Sequence, residues 1–109
     1  MKIKDWNIQE VTGYEPITTF YTDFSIADNC LSVEPNAVLD TFKNAFNNWK
    51  DNYKYLTELV MVLNWKIYEH YESNYKLAEV YNELWEKADL YATSNLKGEE
   101  LQYFFRTTD

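Results

Sequence analysis

The chain contains only one cysteine, two glycines and two prolines in 109 residues. A lone Cys30 excludes an internal disulfide framework and a cysteine-built metal site. So little glycine and proline disfavours a turn-rich β-sandwich or barrel and favours a few long elements. The longest uninterrupted apolar run, Leu59–Leu63, is far shorter than the roughly 20 residues of a membrane span. Residues 1–10 lack the apolar segment of a signal peptide, so we expect a cytosolic protein without membrane association.

Histidine is equally scarce: His70 is the only one, so any Ser–His or Cys–His catalytic pair would depend on it. Gly13 and Gly98 are isolated and form no phosphate-binding loop. Paired Glu-x-x-His metal motifs are missing too, because Ile67 stands three residues before His70. We therefore predict a non-enzymatic protein without cofactor or metal, in which His70 is a solvated or capping residue. The weaker alternative is a small enzyme or metal site built from His70, Glu69 and a carboxylate of the next helix.

Aromatic and acidic residues, by contrast, are abundant. Four Trp, ten Tyr and six Phe make up 18% of the chain, and the formal net charge is −8 with a pI near 4.6. The length is that of one domain. An excess of carboxylates disfavours direct binding to nucleic-acid phosphates or anionic membranes and permits a basic protein partner.

Apolar residues recur with helical spacing through most of the chain. The predicted fold is all-α, an irregular four-helix bundle with a short C-terminal helix and an N-terminal arm. The arm takes residues 1–15, and residues 16–109 form a single helical domain. We expect the first two helices to open at Pro16 and Pro35, where the missing N–H costs nothing.

The remaining predicted helices are longer and more apolar. The third covers about 54–72. The fourth follows an N-cap at Ser73 and runs to about Ser94. The last one or two turns occupy Glu99–Arg106, after a chain break at Gly98.

The third predicted helix is apolar on almost every side. One stripe, at i, i+3, i+4 and i+7 spacing, consists of Leu56, Leu59, Val60, Leu63, Ile67 and Tyr71. The opposite side carries Met61, Val62, Trp65 and Tyr68, in place of the clean polar face that Glu58, Glu69 and Glu72 would otherwise form. Since a completely enclosed helix is hard to build in 109 residues, we expect Val62, Trp65 and Tyr68 to form an apolar interface. A self-associating structural or adaptor protein, such as a homodimer, is the alternative function that this interface suggests.

The fourth predicted helix presents a line of carboxylates. Its members are Glu72, Glu79, Glu83, Glu86 and Asp89. The last four follow each other at one-turn steps of roughly 5–6 Å, an interval of the same order as the phosphate spacing of DNA, and Glu72 comes two turns before them. We expect this line to enter the cationic groove of a basic, nucleic-acid-handling protein. The alternative is an ordinary solvated helix face.

Short acidic proteins of phages and mobile elements resemble this chain in three segments: 56–71, Leu77–Tyr91 (LAEVYNELWEKADLY) and Tyr103–Asp109 (YFFRTTD). That class includes anti-CRISPR inhibitors of RNA-guided nucleases. The resemblance lies in size, charge and helicity over the whole chain, and it assigns no roles to individual residues. It implies a stoichiometric inhibitor of a bacterial defence nuclease that acts in the host cytosol without cofactors.

Overall fold

The computed structural model describes residues 16–29 and 36–108 of the chain. This part contains five α-helices and no strand: α1 Phe20–Asn29, α2 Asn36–Trp49, α3 Tyr53–His70, α4 Tyr75–Asn95 and α5 Gly98–Thr108. The all-α prediction is thereby confirmed. The predicted N-terminal arm, Cys30 and Pro35 lie outside the described residues. Within the described ranges, every helix falls short of the length or the apolarity that a bilayer span requires.

Asparagine side chains start the two longest helices. The Asn52 Oδ1 atom accepts hydrogen bonds from two backbone N–H groups in the first turn of α3, at 3.1 and 3.2 Å. Asn74 Oδ1 accepts one from Leu77 at 3.1 Å. Both asparagines satisfy N–H groups that have no partner inside the helix. The predicted cap of α4, Ser73, is therefore wrong by one residue.

Helix α1 begins at Phe20 and not at Pro16 as predicted. The backbone N–H groups of Ile17 and Thr18 each donate to the carboxylate of Glu58 in α3, both at 2.9 Å. The Thr18 hydroxyl also donates to this carboxylate. Because Glu58 is buried, it needs these donors, and the segment before α1 turns toward α3 to supply them. Glu58 therefore faces the interior, although its place in the helical pattern is that of a polar residue.

Helix α3 is the central helix, and it contacts each of the other four described helices. Its buried apolar residues lie on all sides of the axis: Leu56, Leu59, Val60, Met61, Val62 and Leu63. The chain therefore encloses most of α3 by itself, more than expected for 109 residues, and leaves Tyr68 exposed. Val62 is only 2% exposed, so it belongs to the core and not to an interface. The α3 helix is enclosed because the other four described helices all pack around it.

Helix α5 closes the bundle against α3 and α4. Gly98, the predicted chain break, is the first residue of α5 and has a positive φ of 58°, a conformation that favours glycine. The helix extends to Thr108, two residues beyond the predicted end at Arg106. Phe104 supplies its buried side chain, so a single aromatic ring anchors α5 in the core.

Candidate functional site

Three of the predicted carboxylates share an exposed side of α4. Glu79, Glu83 and Glu86 are exposed and follow each other at i, i+4 and i+7, so they lie on one face of the helix. We call them the acidic face. The ion pairs found within residues 16–29 and 36–108 all involve Lys66 or His70. None of them includes a carboxylate of the acidic face, although the exposed Lys76 and Lys87 lie within one helical turn of it.

The other two predicted carboxylates lie elsewhere. Glu72 is exposed in the turn between α3 and α4. Asp89 is half-buried and lines a groove with Trp65 and Trp85. Its burial raises the pKa of the Asp89 carboxyl above the usual 3.8. The predicted line of five thus becomes three carboxylates on one face, one on the adjoining turn and one in a groove.

Exposed tyrosines surround the turn that carries Glu72. Tyr68, Tyr71 and Tyr75 are all more than half exposed, and we call them the tyrosine patch. The rings of Tyr71 and Tyr75 meet edge to face, with centroids 5.6 Å apart. Tyrosine combines apolar area with a hydroxyl and is enriched at protein interfaces. Of the predicted apolar interface, Tyr68 is exposed, Trp65 is half-buried in the groove and Val62 is in the core.

A buried ionic cluster joins α1, α3 and α4. Its centre is Lys66, whose ammonium donates to Ser25 Oγ at 2.8 Å, Asp28 Oδ2 at 2.8 Å and Glu69 Oε2 at 2.9 Å. Three hydrogen bonds use all the donors of a lysine. The Lys66 side chain is fully buried, and its charge lies 4.6 Å from the centre of the Tyr21 ring. We call this group of residues, together with His70 and Tyr81, the Lys66 cluster.

His70 belongs to this cluster, and its predicted role as a solvated or capping residue is wrong. Its side chain is 15% exposed, and its Nε2 atom lies 2.9 Å from Asp28 Oδ2 and 3.4 Å from Glu69 Oε2. The imidazole also stacks on the Tyr81 ring, with centroids 5.7 Å apart and planes within 5°. The partner that draws His70 inward is Asp28, which comes from α1 and was not identified from the sequence.

Hydrogen bonds hold the Asp28 carboxylate in its charged form. Burial by itself raises the pKa of Asp28, but the hydrogen bonds from His70, Lys66 and Tyr81 and the charge of Lys66 outweigh it. The net pKa of Asp28 lies below the usual 3.8. Tyr81 donates to Asp28 Oδ1 at 2.5 Å, and burial followed by this bond raises the pKa of the Tyr81 hydroxyl. Between these two groups, the proton therefore stays on the Tyr81 hydroxyl and the Asp28 carboxyl stays charged.

The Lys66 cluster resembles a metal site only in its donor atoms. One donor atom each from Asp28, Glu69 and His70 lie within 4.8 Å of one another. The third ligand, the Asp28 carboxylate, comes from α1 and not, as the sequence-based alternative had it, from the fourth helix. The Lys66 ammonium already lies 2.8 and 2.9 Å from the Asp28 and Glu69 oxygens, so a metal ion there would face a fixed positive charge. This cluster is best explained as a structural cross-link between three helices.

The Lys66 cluster makes the free energy of unfolding depend on pH in the acidic range. A carboxyl whose pKa is lowered by folding stabilises the folded state above its unfolded pKa, and this contribution is lost as the pH falls through the folded pKa. Asp28→Asn should therefore lower the free energy of unfolding at pH 7 by about 1.5–3 kcal/mol, the usual worth of hydrogen bonds to a charge. The difference from wild type should shrink as the pH falls below 3.8, measured by urea denaturation at several pH values.

Asp40→Asn is the control for this titration, because Asp40 is an exposed carboxylate of α2. We expect this variant to follow the wild-type curve at each pH. A constant difference between Asp28→Asn and wild type down to the lowest pH would contradict the assignment of the acid dependence to Asp28.

A groove of about 860 Å³ lies between α3, α4 and α5. Aromatic side chains from all three helices line it: Trp65, Trp85, Tyr103, Phe104 and Phe105. Asp89 and Arg106 bring opposite charges to the same groove. We call it the aromatic groove. The groove was not predictable from the sequence, because only the packing of α5 brings Tyr103 and Phe105 to the same groove as Trp65.

No protein-family model, curated protein or solved structure matches this chain. The acidic face, the tyrosine patch and the aromatic groove are its candidate binding surfaces. None of the residues of the Lys66 cluster lines the aromatic groove.

Proposed function

We propose that the protein is a non-enzymatic interaction protein whose acidic face binds a basic protein partner. The observation that carries this proposal is the location of the ion pairs. Those within the described residues all lie in the Lys66 cluster, while Glu79, Glu83 and Glu86 are exposed and take part in none of these ion pairs. Together with a net charge of −8, such a face attracts cationic surfaces over a distance of about one Debye length, roughly 8–10 Å.

The geometry of the acidic face favours a nucleic-acid-handling partner. Carboxylates one helical turn apart are separated by roughly 5–6 Å, and DNA offers its negative charges at intervals of the same order. A cationic channel that binds a phosphate backbone can therefore accept helix α4. The tyrosine patch adjoins the N-terminal end of α4 and adds apolar contact area beside the charges.

The resemblance to short acidic proteins of phages and mobile elements supports a more specific form of this proposal. The protein would then be a stoichiometric inhibitor of a CRISPR-type defence nuclease, acting in the bacterial host cytosol without a cofactor. Its helix α4 would occupy the channel that guide or target strands use. Competition between the protein and duplex DNA for one partner follows from this arrangement.

The test is charge reversal on the acidic face. We expect Glu79→Lys, Glu83→Lys and Glu86→Lys together to reduce capture of a basic partner from a bacterial lysate by about tenfold or more, since tenfold corresponds to only ~1.4 kcal/mol of binding energy. Capture by the wild-type protein should fall at high salt and in the presence of excess duplex DNA, because both compete for the same cations. The thermal transition of the variant should stay close to that of wild type, because all three residues are exposed.

The matched control reverses three exposed carboxylates elsewhere, Asp40, Glu99 and Glu100. Both triple variants raise the net charge from −8 to −2, so a partner that senses only net charge would be lost from both. We expect the control to retain most of its capture. Equal capture by wild type and the α4 variant would contradict the proposal.

A further inference from the structure

The aromatic groove has the size and composition of a binding site. Its volume of about 860 Å³ lies within the roughly 300–1,000 Å³ of small-molecule pockets. Trp65 of α3, Trp85 of α4 and Tyr103 and Phe105 of α5 all contribute to its lining. The faces of aromatic rings carry partial negative charge and attract cations, with tryptophan the strongest. The groove is therefore better suited to a cation with an apolar stem than to an anion.

Asp89 supplies the negative charge of this groove. It is half-buried, and no side-chain hydrogen bond or ion pair to its carboxylate exists among the described residues. Burial without a partner raises the pKa of the Asp89 carboxyl, which reflects the cost of removing a charge from water. A cation placed against this carboxylate would offset that cost.

We propose that the aromatic groove binds an arginine side chain of the basic partner. The guanidinium contacts the Asp89 carboxylate, and the planar group and its stem lie against Trp65 and Trp85. Arginine fits better than lysine, because its flat guanidinium stacks on aromatic rings and binds a carboxylate with two hydrogen bonds. This inference rests on the proposed function, and it names the side chain by which a partner bound at the acidic face is also held by α3, α4 and α5.

Arg106 makes it possible to distinguish a cationic ligand of this groove from an anionic one. It lines the same groove but is exposed and lies outside ion-pair distance of Asp89, since the described residues contain no such pair. An incoming arginine is repelled by Arg106 and attracted by Asp89. An anionic ligand would have the reverse preference, so the two substitutions must act in opposite directions.

The test uses N-acetyl-L-arginine amide as the probe and the full chain as the receptor. The indole N–H signals of Trp65 and Trp85 in an NMR titration should shift in a saturable way, while Trp49, which lines a separate cavity between α1 and α2, should not. Asp89→Asn should weaken binding by about tenfold, since loss of one charged contact is worth ~1.4 kcal/mol or more. Arg106→Ala should leave binding unchanged or strengthen it. N-acetyl-L-norleucine amide, which has the stem without the charge, should bind at least several times more weakly.

Four results would overturn the inference. The first two are the absence of shifts at Trp65 and Trp85 and equal binding of the arginine and norleucine probes. The third is loss of binding in Arg106→Ala together with retained binding in Asp89→Asn. The fourth is a set of shifts that depends on protein concentration alone, which would indicate that a second copy of the chain fills the groove. The variant with Glu79, Glu83 and Glu86 reversed keeps the groove intact and should still bind the arginine probe. A wild-type protein that captures a basic partner but shows no shifts would therefore refute the groove alone. A protein that shows the shifts but captures no basic partner would refute the proposed function.

Discussion

Replacement of Lys66 by methionine should lower the free energy of unfolding by about 3–5 kcal/mol, the cost of leaving buried charges without their partner. Methionine has a similar volume, so the loss comes from charge and not from a cavity. The fully buried ammonium is the shared donor to Asp28 and Glu69. Without it the two carboxylates face each other at close range in a water-poor site, where like charges repel strongly. Urea denaturation at pH 7, followed by circular dichroism, measures the change.

Two further variants make the interpretation specific. Lys76→Met removes an exposed lysine of α4 and should change stability by no more than about 0.5 kcal/mol. Adding Asp28→Asn and Glu69→Gln to Lys66→Met should restore part of the lost stability, because the remaining groups are then neutral and the three effects are not additive. Two results would contradict the cluster as a structural cross-link. One is a loss of unfolding free energy below 1 kcal/mol in Lys66→Met, and the other is a loss in the triple variant that exceeds the sum of the losses in the three single variants.

Phe104→Ala should cost about 3–5 kcal/mol, the usual range for truncating a buried phenylalanine. Phe104 is 1% exposed and is the buried side chain by which α5 packs into the core. Its loss leaves α5 with little apolar area inside the bundle, so the helix should detach before the rest unfolds. Hydrogen exchange of the α5 amides should therefore accelerate more than that of α3.

The neighbouring residue provides the control for this substitution. Phe105 is 50% exposed, so Phe105→Ala removes the same chemical group from the surface of the same helix and should cost well under 1 kcal/mol. Similar losses for the two variants would contradict the assignment of Phe104 as the anchor. Because α5 forms one wall of the aromatic groove, Phe104→Ala should also abolish the arginine-dependent shifts, whereas the fold of α1 to α4 should persist.

The ion pairs of the Lys66 cluster use buried carboxylates and leave those of the acidic face without an ion pair among the residues that the structure describes. Lys66 lies inside the protein with Asp28 and Glu69, so its charge neutralises buried carboxylates and not those of α4. The ion pairing in the described part is thus concentrated where water is scarce. Charges left on the outside remain available to a partner, and their interaction with it depends on salt.

The helices were predictable because their signals are local. Apolar residues at helical spacing predicted α2, α3 and α4 close to their observed bounds, and Gly98 marked the start of α5. The asparagine cap of α4 differs from the predicted Ser73 by one residue, since both types can accept the same hydrogen bond. The exposure of Glu79, Glu83 and Glu86 was also predictable, because the rest of that helix supplies a separate apolar side.

The inward residues of α3 were not predictable to the same degree. Glu58, Lys66, Glu69 and His70 are charged or titratable, and their spacing alone is that of a solvated helix face. Their burial depends on α1, which brings the Thr18 backbone to Glu58 and the Asp28 carboxylate to Lys66. These partners are separated by about forty positions in the chain, a distance at which periodicity carries no information.

The sequence alone determined that the protein is acidic, helical and poor in catalytic groups, since these properties follow from composition and from contacts within one or two helical turns. Tertiary structure decided which charges lie inside, which apolar side of α3 is covered, and where Asp89 meets the tryptophans. Such choices depend on the relative placement of helices that are distant in the chain. A buried charge is tolerated only where another helix places a partner beside it, and a local sequence pattern does not show where that helix lies.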